Sequence, residues 1–144
     1  MRISRSGEYG LKGLVFLASQ PADRLFLVSE ISEKEKVPQP FLAKILQRLS
    51  KTGLLKSVRG VKGGFTLGKP AHKITMREVL EALDGPIALN RCLIREGECK
   101  REDVCPIHPI WEKAQKQLLY LFENTTINDL VIQMNKTGRE VEKR

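Results

Sequence analysis

Three cysteines and a histidine lie within one short stretch of the sequence, and these residue types are suited to metal chemistry. They are spaced Cys92-x6-Cys99-x5-Cys105-x2-His108. Thiolates and a neutral imidazole are ligands for both zinc and iron. The residues between the cysteines are largely charged, so the segment can bury little by itself, and metal binding would supply the free energy that orders it. The spacing therefore predicts a metal centre on this segment.

Zinc and an iron–sulfur cluster are about equally compatible with these residues. Structural zinc usually takes more closely paired ligands, whereas iron–sulfur clusters accept thiolates from looser loops and sometimes a fourth ligand that is not cysteine. Exposed thiols without any ligand are less favoured, because such thiols are reactive. A catalytic pair of Cys105 and His108 is the least favoured, since no orienting carboxylate is evident, and we expect no enzyme.

The distribution of charge indicates a polyanionic partner. The formal net charge is +8, and residues 1–73 carry 14 Lys and Arg against five Asp and Glu. No acidic residue lies between Glu35 and Glu78, while ten Lys or Arg fall there. A field of a single sign attracts nucleic acid and releases its counterions on contact. We therefore favour DNA binding over a merely solvated basic face or an acidic protein partner.

The basic region has the pattern of a helix-turn-helix. Apolar residues recur at helical spacing from about Ser6 to Ser19. A second helix is expected to begin with Ser29 as its cap, and a third to run from about Pro40 to Thr52. Gly53 is well placed to end the third helix. A short helix, a tight turn and an amphipathic helix with a cationic outer face are typical of DNA-binding proteins.

A β-hairpin is predicted directly after this third helix. Residues 55–59 and 65–67 suit two short strands, and the glycine-rich residues 60–64 suit the turn between them. A hairpin in this position is a wing, with Arg59 and Lys62 at its tip. No Gly-Lys-Ser/Thr element follows the glycines, which argues against a phosphate-binding loop.

The remaining elements are expected to be helical. Thr75 and Glu78 fit a capping box, and residues 84–86 would end the helix that follows. A long helix is predicted over about 109–123, and a short one from about Thr126 to Met134. The stripe of the long helix has coiled-coil spacing, which suggests a partner subunit or this chain's own first helix as its neighbour. Its members are Ile107, Trp111, Ala114, Leu118 and Leu121.

Together these patterns predict a mostly α protein with a small β-hairpin wing, a winged helix-turn-helix plus a long dimerisation helix. The expected regions are a DNA-binding region over 1–73, a cluster-binding loop with dimerisation helices over 74–134, and a flexible tail over 135–144. No apolar run approaches the roughly 18 residues that a membrane span needs, and no signal peptide is evident, so we expect a cytoplasmic protein.

These residues resemble the IscR-type regulators. The resemblance extends from Met1 to about Leu130, and Asp84-Gly85-Pro86-Ile87 and the cysteine triplet followed by His108 are part of it. The winged-helix motif that carries it is Phe41-Leu42-x2-Ile45-Leu46-x2-Leu49-x3-Gly53-Leu54-Leu55-x-Ser57-Val58-Arg59-Gly60-x2-Gly63-Gly64-Phe65-x-Leu67.

The resemblance implies a homodimeric transcription factor whose iron–sulfur cluster controls its binding to an operator in duplex DNA. It implies that Cys92, Cys99, Cys105 and His108 bind a 2Fe–2S cluster. In the related NsrR-type nitric-oxide sensors, a 4Fe–4S cluster takes its fourth ligand from the position of Glu8 of the partner subunit. We favour 2Fe–2S with His108 and control of iron–sulfur biogenesis genes. The alternative is a nitric-oxide, redox, thiol or zinc sensor on the same fold.

The same resemblance, with the charge pattern, assigns the DNA contacts. Pro40 and Ala43 stand where IscR carries Ser and Glu, which alters any preference that depends on that Glu. The first gap between cysteines is also one residue longer than in that pattern. The candidate DNA-binding residues are Gln39, Pro40, Ala43, Lys44 and Gln47 near the bases, Arg48, Lys51, Lys56 and Lys62 at phosphates, and Arg59 in the minor groove.

Overall fold

The structure is a computed structural model that describes residues 2–94, 100–101 and 103–142, without the side chains of 139–142. These residues form six α-helices, two strands and two short 3-10 helices, Ala71–Lys73 and Arg91–Leu93. In chain order the main elements are α1 Arg5–Ala18, α2 Val28–Glu35, α3 Gln39–Lys51, β1 Leu55–Val58, β2 Gly64–Leu67, α4 Met76–Asp84, α5 His108–Glu123 and α6 Ile127–Glu142.

Helix α1 is the central element of the fold and packs against α3, α4 and α6. The Ser4 hydroxyl accepts a hydrogen bond from the Gly7 amide at 3.0 Å and so caps its first turn. Gly7, Gly10 and Gly13 are buried and allow the neighbouring helices to approach closely. A Cβ atom at Gly10 would lie only 2.4 Å from Leu83 Cδ1 of α4.

Helices α2 and α3 form the helix-turn-helix, with a three-residue connection. The expectation that Ser29 caps α2 is wrong, because the cap is Leu27, one residue before the helix. The Glu30 carboxylate accepts a hydrogen bond from the Leu27 amide at 3.1 Å, which satisfies an amide at this end without Ser29. Lys36 ends α2 in the left-handed region, with φ of 55°.

The two strands form the predicted hairpin. They pair antiparallel, with Leu55 opposite Leu67 and Val58 opposite Gly64. Gly53 has φ of 83° after the end of α3, the conformation for which glycine is preferred at a helix terminus. The hairpin is anchored to the body through a bridge between Phe26 and Phe65.

The predicted helix α4 is confirmed, and it joins the two halves of the chain. Thr75 caps it by accepting from the Glu78 amide at 3.1 Å. Arg77 of α4 donates to Glu81 at 3.0 Å and to Glu123 of α5 at 2.5 Å. The hydrogen bond to Glu81, together with the charge of Glu123, raises the pKa of Arg77 above its usual value. Its guanidinium therefore remains charged and ties the end of α5 to α4.

Helix α6 is longer than the sequence suggested. Its predicted start is confirmed, since Thr126 and Asp129 exchange amide-to-side-chain hydrogen bonds of 2.9 and 3.1 Å. The predicted end near Met134 is wrong, because the helix continues to Glu142. Once its first turn is formed, extending a helix through polar residues costs little.

One hydrophobic core holds these elements together. It combines residues from helices that are distant in the sequence, for example Leu14 of α1, Leu46 of α3 and Ile127 of α6, each of which is completely buried. The predicted fold class, a mostly α protein with a winged helix-turn-helix, is confirmed. The predicted long helix is present as α5, which packs mainly on α4 and on the 3-10 helix Arg91–Leu93 rather than on α1.

Candidate nucleic-acid interface and metal centre

Helix α3 presents one face to the core and the opposite face to solvent. Its core face consists of Leu42, Ile45, Leu46 and Leu49, all buried. Pro40 lies in the first turn, where its missing amide hydrogen is not needed. Most of the candidate base-reading residues are exposed on the outer face, and Ala43 is half-buried. The exposed ones are Gln39, Pro40, Lys44 and Gln47.

Glycines shape the turn of the wing. Gly60 and Gly64 have φ of 110° and 148°, which side chains rarely adopt. Gly63 is buried, and a Cβ there would lie 2.1 Å from the carbonyl oxygen of Val58. The tight turn leaves Arg59 and Lys62 exposed at the tip, as the sequence predicted.

An open groove of about 600 Å³ lies between α3 and the wing. Gln47, Lys51 and Arg59 all line it, so the structure brings three candidate DNA-binding residues to one concave surface. Ser57 also lines the groove. Charge and periodicity did not single out Ser57, because a hydroxyl is uncharged and gives no periodic signal.

The cations of this surface are available to an anion. Among the described residues, none of the ion pairs uses Lys44, Lys51, Lys56, Arg59 or Lys62. All five side chains are exposed. Such cations can neutralise phosphates without first breaking an internal pair.

Arg48 is engaged differently from the other cations. Its Nη2 atom donates to the carbonyl oxygen of Leu83, near the end of α4, at 2.6 Å. The last carbonyls of a helix have no partner within it, and a guanidinium satisfies one of them here. Arg48 thus connects α3 to α4 through a hydrogen bond.

The described part of the cysteine segment begins and ends on ordered backbone. Cys92 lies in the 3-10 helix Arg91–Leu93, and Cys105 lies three residues before α5. Both are free, half-buried thiols. The third predicted ligand, Cys99, lies outside the described residues. Within the described part of the chain, no three potential metal ligands are gathered into one group.

His108 is the first residue of α5 and is largely buried. Its side chain is 12% exposed, and its Nε2 atom lies 3.3 Å from the Glu112 carboxylate. Its Nδ1 atom is buried and has no hydrogen-bond partner among the residues that the structure describes. A buried polar atom without a partner is costly, and a metal ligand bond would satisfy it. This orphaned nitrogen and the two half-buried thiols are a donor set that fits an iron–sulfur group.

Glu8, the other predicted fourth ligand, is exposed in the first turn of α1. Its carboxylate lies 3.4 Å from the ammonium group of Lys12. The position also suits a negative charge near the N-terminus of a helix, independent of any metal.

Comparison with known proteins identifies the family. Residues 3–133 match the Rrf2 family, described as iron-dependent transcriptional regulators. The chain belongs to the Rrf2 family. This assignment makes it a DNA-binding transcriptional regulator rather than an enzyme, as the sequence predicted.

Relatives and solved structures agree with the Rrf2 assignment. The chain is 38% identical over 133 residues to a protein of Aquifex aeolicus (strain VF5) provisionally named an HTH-type transcriptional regulator, covering 91% of this chain and 92% of that one. It is 32% identical to the HTH-type transcriptional regulator IscR of Pectobacterium carotovorum (strain PC1), covering 91% and 79%. The fold is similar to that of CymR, the global cysteine regulator of B. subtilis, with a TM-score of 0.76 and 28% identity over 92% and 98% of the two chains.

Membership of the Rrf2 family gives the chain its broad role as a DNA-binding transcriptional regulator, and iron dependence is part of the family description. Among the described residues, no helix is both long and apolar enough to cross a membrane.

Proposed function

We propose that this Rrf2-family regulator binds its operator under the control of an iron–sulfur cluster held by Cys92, Cys99, Cys105 and His108. The observation that carries the proposal is the buried Nδ1 atom of His108, a residue three positions after Cys105, because this atom has no hydrogen-bond partner in the described part of the chain. Neutral imidazole is an iron ligand, and no other described group competes for this nitrogen. We favour a 2Fe–2S cluster and a cytoplasmic regulator of iron–sulfur biogenesis genes.

The protein's own contribution is to hold the first and last of the four donors, Cys92 and His108, at the two ends of one segment. Cys92 is supplied by a 3-10 helix that packs on α5, and His108 by the first turn of α5. The bound cluster supplies a centre whose presence and oxidation state respond to iron and oxidants. Binding of such a group would be coupled to folding of the segment that Cys92 and His108 bound, because ligand binding is coupled to folding.

DNA recognition in this proposal uses a homodimer. Each subunit places α3 in a major groove with Gln39, Pro40, Ala43, Lys44 and Gln47 nearest the bases. The two half-sites are then about 34 Å apart or a multiple of that distance. We assign phosphate contacts to Lys51, Lys56 and Lys62, and the minor groove to Arg59, while Arg48 remains on Leu83. The exposed apolar residues of α5 form the contact between subunits.

The cluster is tested by purification under strict anaerobiosis. Visible absorbance, iron and sulfide are measured for the wild type and for Cys92→Ala, His108→Ala and Glu8→Ala. We expect a coloured wild type, loss of colour in C92A and H108A, and retention in E8A. Colour lost in E8A but kept in H108A would assign the fourth ligand to Glu8 of the partner subunit and favour 4Fe–4S. A wild type that stays colourless after reconstitution with iron and sulfide would refute the cluster.

A thiol or redox sensor is the second candidate function, and nitric oxide or zinc are further signals of this kind. Its support is the free, half-buried thiols of Cys92 and Cys105. Oxidation of such thiols changes charge and hydrogen bonding without any cluster. Metal-free protein whose affinity for operator DNA changes reversibly with peroxide and dithiothreitol, and is insensitive in C105A, would favour this function.

A further inference from the structure

The backbone immediately before Cys92 is held by two side chains of α5. Gln115 Oε1 accepts a hydrogen bond from the Leu89 amide at 2.9 Å. Trp111 Nε1 donates to the side-chain oxygen of Asn90 at 3.0 Å, in the amide orientation that also lets Asn90 donate to the Leu89 carbonyl at 2.9 Å. Residues 89 and 90 are therefore fixed to α5 on both the backbone and the side chain.

These two side chains share a helical face with His108. Residues three and four apart on a helix are neighbours, and His108, Trp111 and Gln115 follow in steps of three and four. One face of α5 thus carries a proposed ligand and both groups that hold the residues preceding Cys92. The helix sets the relative position of the first and last donors of the segment.

Core packing does not account for Trp111. Its side chain is 40% exposed, although a large aromatic residue stabilises a fold mainly through burial. Its one polar group, the indole N–H, donates a hydrogen bond to Asn90. Gln115 likewise accepts a hydrogen bond from the backbone amide of Leu89, which is 26 residues away in the sequence. Both residues therefore act on the position of the segment.

We propose that Trp111 and Gln115 are positioning residues that set the Cys92 thiol for the iron–sulfur cluster. The proposal rests on the cluster of the proposed function and adds the groups that orient one of its ligands. Outer partners of this kind typically contribute about 10- to 100-fold to metal affinity.

The test compares cluster retention in variants at position 115. Gln115→Leu removes the acceptor for the Leu89 amide, whereas Gln115→Glu keeps an oxygen acceptor there in the form of a carboxylate. Gln117→Leu is the matched control, because Gln117 is exposed on the same helix. Each full-length protein is reconstituted anaerobically with iron and sulfide. Iron per chain, visible circular dichroism and the rate of cluster loss to a chelator are then measured.

We expect Q115L to lose its cluster about 10- to 100-fold faster than the wild type, with an altered dichroism spectrum. Q115E should restore both, Q117L should match the wild type, and Trp111→Phe should resemble Q115L. Thermal unfolding of the metal-free proteins identifies a variant that fails to fold, and the remaining variant then decides. Q115L and W111F that both retain the cluster like the wild type would overturn this inference. A wild type that binds no cluster would instead refute the proposed function.

Discussion

Helices α3 and α5 both carry an amphipathic sequence, but only the apolar face of α3 is buried in the structure. Helix α3 buries four apolar residues, whereas α5, longer by three residues, buries none in the described chain. Ile110 and Leu121 of α5 are 62% and 58% exposed. A helical apolar stripe is stable only when something packs on it. The apolar residues of α3 are therefore buried within this chain, whereas those of α5 remain exposed and available for the subunit contact proposed above.

The largest expected difference between the two helices comes from removing one leucine from each. Leu46→Ala in α3 empties a fully buried site and should lower the free energy of unfolding by about 2–5 kcal/mol. Leu121→Ala in α5 removes an exposed side chain and should change it by less than about 0.5 kcal/mol at concentrations where the chain does not associate. Urea unfolding measures both, and sedimentation should show weaker association for L121A. Equal losses in the two variants would contradict the comparison.

Close packing around α1 gives the next largest effect. Gly10→Ala forces its new methyl group against Leu83 and should cost about 1–3 kcal/mol. Gly138→Ala in α6 is the control, because its Cβ would meet nothing within 4 Å and alanine is the better helix former by about 0.5–1 kcal/mol. The two changes in melting temperature should therefore have opposite signs. A neutral G10A would mean that Leu83 moves aside without cost.

Two cations of α3, Lys51 and Arg48, are expected to differ in role, one in binding DNA and the other in stabilising the fold. Lys51→Met should reduce the slope of log affinity against log salt for random-sequence duplex DNA by about one unit. Arg48→Met should leave that slope unchanged and lower the free energy of unfolding by about 1 kcal/mol, because the Leu83 carbonyl loses its partner. A reduced slope in R48M would return Arg48 to the phosphate contacts that the sequence suggested.

The smallest expected effect concerns α4, which lies between the two compared helices. Thr75→Ala removes an observed cap and should cost about 1 kcal/mol. Ser29→Ala removes the residue that the sequence wrongly predicted as a cap, and should stay within about 0.5 kcal/mol. Thermal unfolding of both variants measures the contrast. A larger loss in S29A than in T75A would contradict the observed caps.

Local patterns were sufficient to predict most of the winged helix. The core stripe of α3, the glycine at its end and the cap at Thr75 each act within a few residues, so their signals stand in the sequence. The predicted cap of α2 was wrong because the side chain of Glu30, not that of Ser29, accepts the hydrogen bond from the Leu27 amide. The predicted end of α6 near Met134 was wrong because a polar composition indicates a tail but also suits the exposed end of a helix.

Contacts between distant residues could not be predicted in this way. Arg48 reads as one more cation on an exposed face, and only the folded chain brings the Leu83 carbonyl, 35 residues away, to its guanidinium. The hydrogen bond between Gln115 and Leu89 spans 26 residues and leaves no periodic trace. The sequence shows which residue types could be ligands, but the burial of the His108 Nδ1 atom and its lack of a partner among the described residues depend on the folded chain around it.

The left-handed Lys36 has a consequence for how this protein can vary in length. The connection from α2 to α3 is closed onto α2, since the Ser32 hydroxyl donates to the Val37 carbonyl and the Val37 amide donates to the Ser32 carbonyl at 3.1 Å. An inserted residue there would break these bonds and change the orientation of α3 relative to α2. At the wing tip Val61 is fully exposed, and extra residues would project into solvent. Insertions and deletions should therefore accumulate at the wing and be absent from the turn.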